Sequence, residues 1–197
     1  MQNAVAAWTR VTPPSPFLTR LRGAPDRLLH PLHRRRALAA LRRRPAPVSV
    51  LVVCHGNICR SPFAAARLAG YLAPAGVRVG SAGFIGPNRP CPPEAVTAAA
   101  RRGVDLAAHR SRLLTADVAR RADLIVVMDP AQGRTIRERF GRLLRDIVVL
   151  GDLDAAPLAR RTIHDPVDQS LEVFEQSYAR IERCVVELVH ALGVRSA

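Results

Sequence analysis

Cys54-His55-Gly56-Asn57-Ile58-Cys59-Arg60-Ser61 holds the residues of this 197-residue chain best able to do chemistry. A thiol opens the stretch, an arginine follows six positions later, and a hydroxyl follows the arginine. The apolar run Val48 to Val53 precedes it, and Pro62 with an alanine-rich segment follows. That order reads as buried strand, tight loop, helix. Gly56 takes positive φ without cost and Asn57 tolerates it. Ser61 suits an N-cap and Pro62 the first helical position. A loop folded this way turns several backbone N–H groups inward, beside the positive end of a helix dipole, and so cradles a phosphate-like anion.

A thiol at the mouth of such a cradle sits in a positive field, which favours the nucleophilic thiolate. Arg60 can hold two phosphate oxygens side by side and stabilise a transferring phosphoryl group, which a lysine could not do bidentately. The Ser61 hydroxyl is placed to donate to the thiolate or to the leaving sulfur. His55 presents an imidazole at the loop mouth, where it binds substrate or faces solvent. Cys54 and Arg60 are therefore the expected catalytic groups. His55, Gly56, Asn57, Ile58, Cys59 and Ser61 are the expected substrate-binding lining. A lone cysteine at a strand end would read as a small buried residue, and a lone arginine as a surface charge. Their fixed spacing between a strand and a helix outweighs that reading.

With these residues in view, the loop resembles the active site of the low-molecular-weight protein tyrosine phosphatases. The resemblance extends over residues 48–192 through Ser81-Ala82-Gly83, Gly103-Val104-Asp105-Leu106, His109-Arg110-Ser111-Arg112, Val127-Met128-Asp129 and Asp165-Pro166, in the family's order. It implies phosphomonoester hydrolysis through a cysteinyl-phosphate, with a phosphorylated protein as substrate. It implies that Asp165 is the general acid and then the base, a role worth roughly 10²–10⁴ in rate. It makes Asp129 a supporting residue and His109 a structural one, and it leaves Cys59 either a partner for a reversible disulfide with the nucleophile or a small residue that packs the loop. Asp168 is expected to cap the last helix near Ser170. The chain departs from the family after Asp165-Pro166, where Val167 and Asp168 stand in place of the usual aromatics. Phe84 is then the candidate aromatic wall, or else a core residue.

Arsenate reduction on the same scaffold needs further thiols in relay. Cys91 falls in a loop and Cys184 deep in the last helix, so no paired set is visible. A non-catalytic phosphate-binding module would not need Cys54, Arg60 and Asp165 together. Cys54, His55 and Cys59 fit no standard metal-ligand spacing, and the chemistry requires neither metal nor cofactor.

The elements that must position these groups follow from the hydrophobic pattern. Apolar runs at 48–53, 123–128 and 147–150 and a short segment at 77–81 read as strands, separated by helical segments at 62–73, 94–102, 115–121 and 130–139. Leu171, Phe174, Tyr178, Ile181, Val185, Leu188 and Leu192 recur at steps of three and four, an amphipathic helix facing a core. Alternation of this kind predicts a four-stranded parallel sheet of order 2-1-3-4 with helices on both faces, a flavodoxin-like three-layer α/β sandwich. In such sheets ligands bind beyond the carboxyl ends of strands, where the Cys54 loop lies.

Charge is uneven along the chain. The net charge is +14, and every one of the 30 basic residues is arginine. Residues 1–47 carry ten arginines against the single acid Asp26. This Pro- and Arg-rich segment is expected to be an extension, disordered or marginally helical, and its removal is expected to leave the rate constant unchanged. It offers a weak contact to anionic surfaces, and no obligatory nucleic-acid partner. Residues 48–197 form the expected catalytic domain. Four scattered cysteines make no disulfide framework, and a catalytic thiol needs a reducing compartment, so a cytoplasmic location is expected. No apolar run reaches the length of a membrane span, and Met1 to Trp8 is too short for a secretory signal.

Overall fold

The computed structural model describes residues 16–156 and 160–193, with side chains from Asp26 onward. The signal-peptide reading at Met1 to Trp8 and Pro13-Pro14 lie outside the described residues. The element order is α1 (Pro16–Arg43), β1 (Ser49–Cys54), α2 (Arg60–Leu72), β2 (Arg78–Gly83), α3 (Pro93–Ala100), α4 (Ala116–Arg121), β3 (Leu124–Val127), α5 (Pro130–Phe140), β4 (Ile147–Val149) and α6 (Leu171–Leu192). The four strands form one parallel sheet of order β2-β1-β3-β4, as the pattern predicts.

Both central strands are buried on both faces, and their alternation divides two cores. Val50, Val52 and Cys54 face one core, with Leu124, Val126 and Met128 beside them. Leu51, Val53, Ile125 and Val127 face the other. The first core is closed by α2, α3 and α6, the second by α4 and α5. Phe63 of α2 stacks on Tyr178 of α6 at 4.0 Å and 3°, and Phe174 meets Tyr178 edge-on at 6.1 Å. Such pairs add about 0.5–1.5 kcal/mol to the burial of their rings. Strand β1 lies at the point where strand order reverses, and its last residue, Cys54, pairs in register with Gly83 at the carboxyl edge of β2. The chemistry-bearing loop therefore leaves the sheet at its switch point.

The amino-terminal segment departs from the expected disordered or marginally helical extension. Pro25 and Pro31 both fall inside the 28-residue helix α1. Leu38 and Leu41 of α1 belong to the first core, and Leu41 is only 1% exposed. Tertiary burial of this kind outweighs the local cost of a proline, about 3 kcal/mol in a helix interior.

Candidate active site

Cys54 ends β1 and is 2% exposed. The loop it opens is held from outside by its carbonyls. His55 O accepts from the amides of Phe84 (2.8 Å) and Ile85 (3.3 Å). Gly56 O accepts from the Arg89 guanidinium at 3.0 Å, and Asn57 O accepts from the His109 ring at 2.8 Å. Cys59 O accepts from the Tyr178 hydroxyl at 3.1 Å. A trans peptide sets each carbonyl opposite the next N–H. Four carbonyls turned outward thus turn the amides of Gly56, Asn57, Ile58 and Arg60 inward, forming the cradle. Two close approaches make this possible. A Cβ on Gly83 would lie 2.8 Å from Asn57 N and from His55 O, so the neighbouring strand end admits only glycine. Asn57 takes φ +52°, the left-handed turn that the Gly-Asn pair was read to supply, and Gly56 does not.

Within the loop the polar groups converge on sulfur. Cys54 Sγ lies 3.0 Å from Ser61 Oγ and accepts the Asn57 amide at 3.2 Å. Asn57 is fully buried; its Nδ2 donates to Ser61 Oγ at 2.8 Å, and its Oδ1 accepts the Arg112 amide at 2.8 Å. Ser61 is not the N-cap. Helix α2 begins two residues before Pro62, after Cys59, which makes no side-chain capping bond. Ser61 thus lies inside the first turn, where its hydroxyl meets the thiol and Asn57 instead.

Arg60 is 3% exposed and reaches across the loop. Its guanidinium donates to Ile163 O at 3.0 Å and pairs with the Asp165 carboxylate, while its buried Nε has no partner. Asp165 therefore does reach the Cys54 loop from a segment more than a hundred residues away. A cleft of about 590 Å³ opens beside this pair, lined by His55, Arg60, Phe84, Ile85, Asp129, Gln132, His164 and Asp165 among others. His55 is exposed and Ile58 half-buried. Phe84 does both things proposed for it, packing on the second core while lining the cleft. Asp129 caps α5, accepting the Gln132 amide at 2.8 Å, which fits a supporting place. Asp168 does not cap α6: Ser170 is the N-cap residue, without a side-chain bond, and Asp168 sits at φ +59° in the preceding turn.

Burial disfavours the thiolate at Cys59, Cys91 and Cys184. Burial, then the Asp165 charge, pushes the Cys59 thiol far above the ordinary range. Burial, then the neighbouring Cys54, pushes Cys91 up to about 11. Among the described residues all four cysteines are free and no cluster of three His, Cys, Asp or Glu could hold a metal. Sequence reasoning missed how Asn57, Arg89 and Tyr178 brace the loop. A buried asparagine after glycine carried that signal only as a turn.

The described geometry agrees with known proteins. Residues 49–196 match the family model of low molecular weight phosphotyrosine protein phosphatase. A probable low molecular weight protein-tyrosine-phosphatase EpsP from Ralstonia nicotianae is 41% identical over 150 residues, covering 74% of this chain and 98% of that protein. A protein-arginine-phosphatase from Bacillus subtilis is 30% identical over 148 residues, 74% of this chain and 97% of that one. The tyrosine phosphatase Wzb from Escherichia coli K30, solved with sulphate, superposes with a TM-score of 0.68 at 28% identity, over 75% of this chain and 99% of its own. Neither arsenate reduction nor a purely binding role is favoured by these likenesses. The chain belongs to the low molecular weight phosphotyrosine protein phosphatase family and is a cysteine-dependent phosphatase of that type.

Proposed function

We propose that this enzyme dephosphorylates phosphotyrosine side chains of proteins, with Cys54 as nucleophile, Arg60 as phosphate clamp and Asp165 as general acid and then base. The observation that carries the reading is Cys54 Sγ bonded to Ser61 Oγ and the Asn57 amide at the mouth of an inward-turned amide loop, with the Arg60–Asp165 pair beside it. The substrate dianion enters the cradle of Gly56, Asn57, Ile58, Cys59, Arg60 and Ser61 and takes over the Arg60 fork. Asp165 is thereby released to hold a proton. The Cys54 thiolate attacks phosphorus, the phosphorus–oxygen ester bond breaks, and Asp165 gives its proton to the leaving phenolate. Water then attacks the cysteinyl-phosphate, Asp165 takes its proton, and the sulfur leaves as thiolate with Ser61 donating to it. Arginine held bidentately on a transferring phosphoryl group is worth most in a water-poor site, and Arg60 is 3% exposed.

The aromatic substrate is supported by the cleft wall: Phe84 and the 42%-exposed Ile85 offer an apolar face to a ring, although Val167 supplies none of the usual stacking. His55 at the exposed mouth is left to contact the peptide around it. The test is a phosphotyrosine peptide against a phosphoarginine peptide of the same sequence. Faster phosphotyrosine turnover is expected; equal or faster release from phosphoarginine overturns the substrate assignment. Asp165→Asn is expected to lower kcat/KM about 10²-fold or more on phenyl phosphate and less on p-nitrophenyl phosphate. A small uniform loss would move the acid elsewhere.

We also infer that residues 48–197 are the catalytic domain, which the family match from Ser49 supports, and that the enzyme works in the cytoplasm. No helix among the described residues is long and apolar enough to cross a membrane. Residues 1–47 are an appended segment with a weak affinity for anionic surfaces. Arg27, Arg35, Arg36, Arg42 and Arg43 are exposed along α1, each worth about 1 kcal/mol near an anionic bilayer. Salt-sensitive binding to vesicles of one-third phosphatidylglycerol is expected, and equal binding to neutral vesicles contradicts it.

A further inference from the structure

Helix α1 ends before the first residue of the family match, yet its inner face is built into the back of the segment that carries Asp165. That segment runs from Leu150 in two limbs, 150–154 outward and 160–165 returning. His30 is 6% exposed, and its Nε2 lies 2.9 Å from the Asp154 carbonyl, so the ring donates there. Arg34 donates to Leu153 O at 3.3 Å and pairs with Glu187 of α6. Asp26 accepts the Arg161 amide at 3.2 Å. One helix thus grips both limbs.

The limbs are also locked to each other. Arg161 forms a fork on Asp152, with both bonds at 2.7 Å. Gly151 lies against the Arg161 carbonyl so closely that a Cβ would stand 1.9 Å from it. Asp154, fully buried, takes Arg180 and Arg183 of α6 on its carboxylate, and Arg180 also donates to Thr162 O at 2.8 Å. Three residues beyond Thr162 stands Asp165, with Ile163 O and the Asp165 carboxylate both on Arg60. A continuous set of bonds therefore joins α1 to the acid.

We propose that α1 is a positioning element for catalysis: Asp26 and His30 hold the two-limbed segment so that Asp165 stands over the cradle. The proposal rests on the reading of Asp165 as general acid. It replaces the expectation that the amino-terminal segment is dispensable. A displacement of the order of 1 Å in an acid can cost about 10²-fold in rate, so a modest loosening of this segment is felt at the proton transfer.

The test uses the full chain and measures kcat/KM, which reports the steps through loss of the alcohol. Asp26→Ala, His30→Ala and the double variant are compared on p-nitrophenyl and phenyl phosphate, with Asp165→Asn alongside. Asp26→Asn and His30→Gln, which keep an acceptor and a donor in place, serve as rescue. The double alanine variant is expected to lose about ten-fold more on phenyl than on p-nitrophenyl phosphate, and the conservative pair to restore both rates. Should the double variant not fold, Asp26→Ala alone carries the same comparison. Equal losses on both substrates, or losses the conservative variants do not restore, overturn the proposal. If Asp165→Asn is steep while the α1 variants are flat, α1 is only structural. A flat Asp165→Asn series overturns the acid assignment and this proposal with it.

Discussion

Asn57→Ala separates the brace of the loop from its chemistry. The side chain is fully buried and makes two bonds, Nδ2 to Ser61 Oγ and Oδ1 from the Arg112 amide, each at 2.8 Å. Alanine removes both. The Ser61 hydroxyl can turn to Cys54, but the Arg112 N–H is left without its acceptor, a loss of about 1–3 kcal/mol. Asn57 also stands at φ +52°, where a residue with an ordinary Cβ costs about 1–2 kcal/mol more than one suited to it. The two effects are independent, so Asn57→Ala should destabilise the protein by about 3 kcal/mol. Asn57→Gly relieves only the backbone cost and should fall between alanine and wild type. Urea unfolding at constant m-value reads this order directly. Activity should follow the bonds rather than the backbone: both variants should lose about ten-fold or more in kcat/KM on p-nitrophenyl phosphate, because the cradle amides are no longer fixed. Alanine within about 0.5 kcal/mol of wild type, or glycine less stable than alanine, would refute the brace.

Other expectations follow from single contacts. Tyr178→Phe keeps the ring stacked on Phe63 at 4.0 Å but removes the donor to Cys59 O; a loss of about 1–3 kcal/mol by urea unfolding is expected, and none would show that the bond does not hold the loop. Stability should fall as pH rises above about 9. Cys91 is raised from 9.0 to about 11 and Cys184 to about 12, both first by burial. Below pH 9 these thiols are protonated in both states; between that value and their folded-state values the unfolded chain ionises and the folded one does not. Unfolding midpoints at pH 8 and 10 check the sign, and a midpoint that rises with pH contradicts it.

Much of this site was legible because its signals are local. Strand, Gly-Asn turn and helix are contiguous from Val48 to Ala66, and the unbroken burial of β1 and β3 is what a doubly covered sheet demands. Asp165 could be matched only through resemblance, since nothing local says that a residue so far along the chain lands on Arg60. Ser61 misled as a cap because α2 begins one residue before it, at Arg60. Asp168 misled because it stands in a left-handed turn two residues before the N-cap position, which Ser170 takes. Helix α1 was illegible for a different reason. Prolines and arginines argue against order one residue at a time, whereas Leu38 and Leu41 find a core and His30 a carbonyl only after α6 and the acid segment are in place. Tertiary burial overrides propensity there.

The central claim is a phosphate carried on Cys54. Rapid mixing of enzyme with p-nitrophenyl phosphate at low temperature, under reducing conditions, should give a stoichiometric burst of nitrophenolate, with phosphate mapped to Cys54 by mass spectrometry of the quenched protein and absent from Cys54→Ser. Turnover by Cys54→Ser equal to wild type, or phosphate on any other residue, would contradict the account.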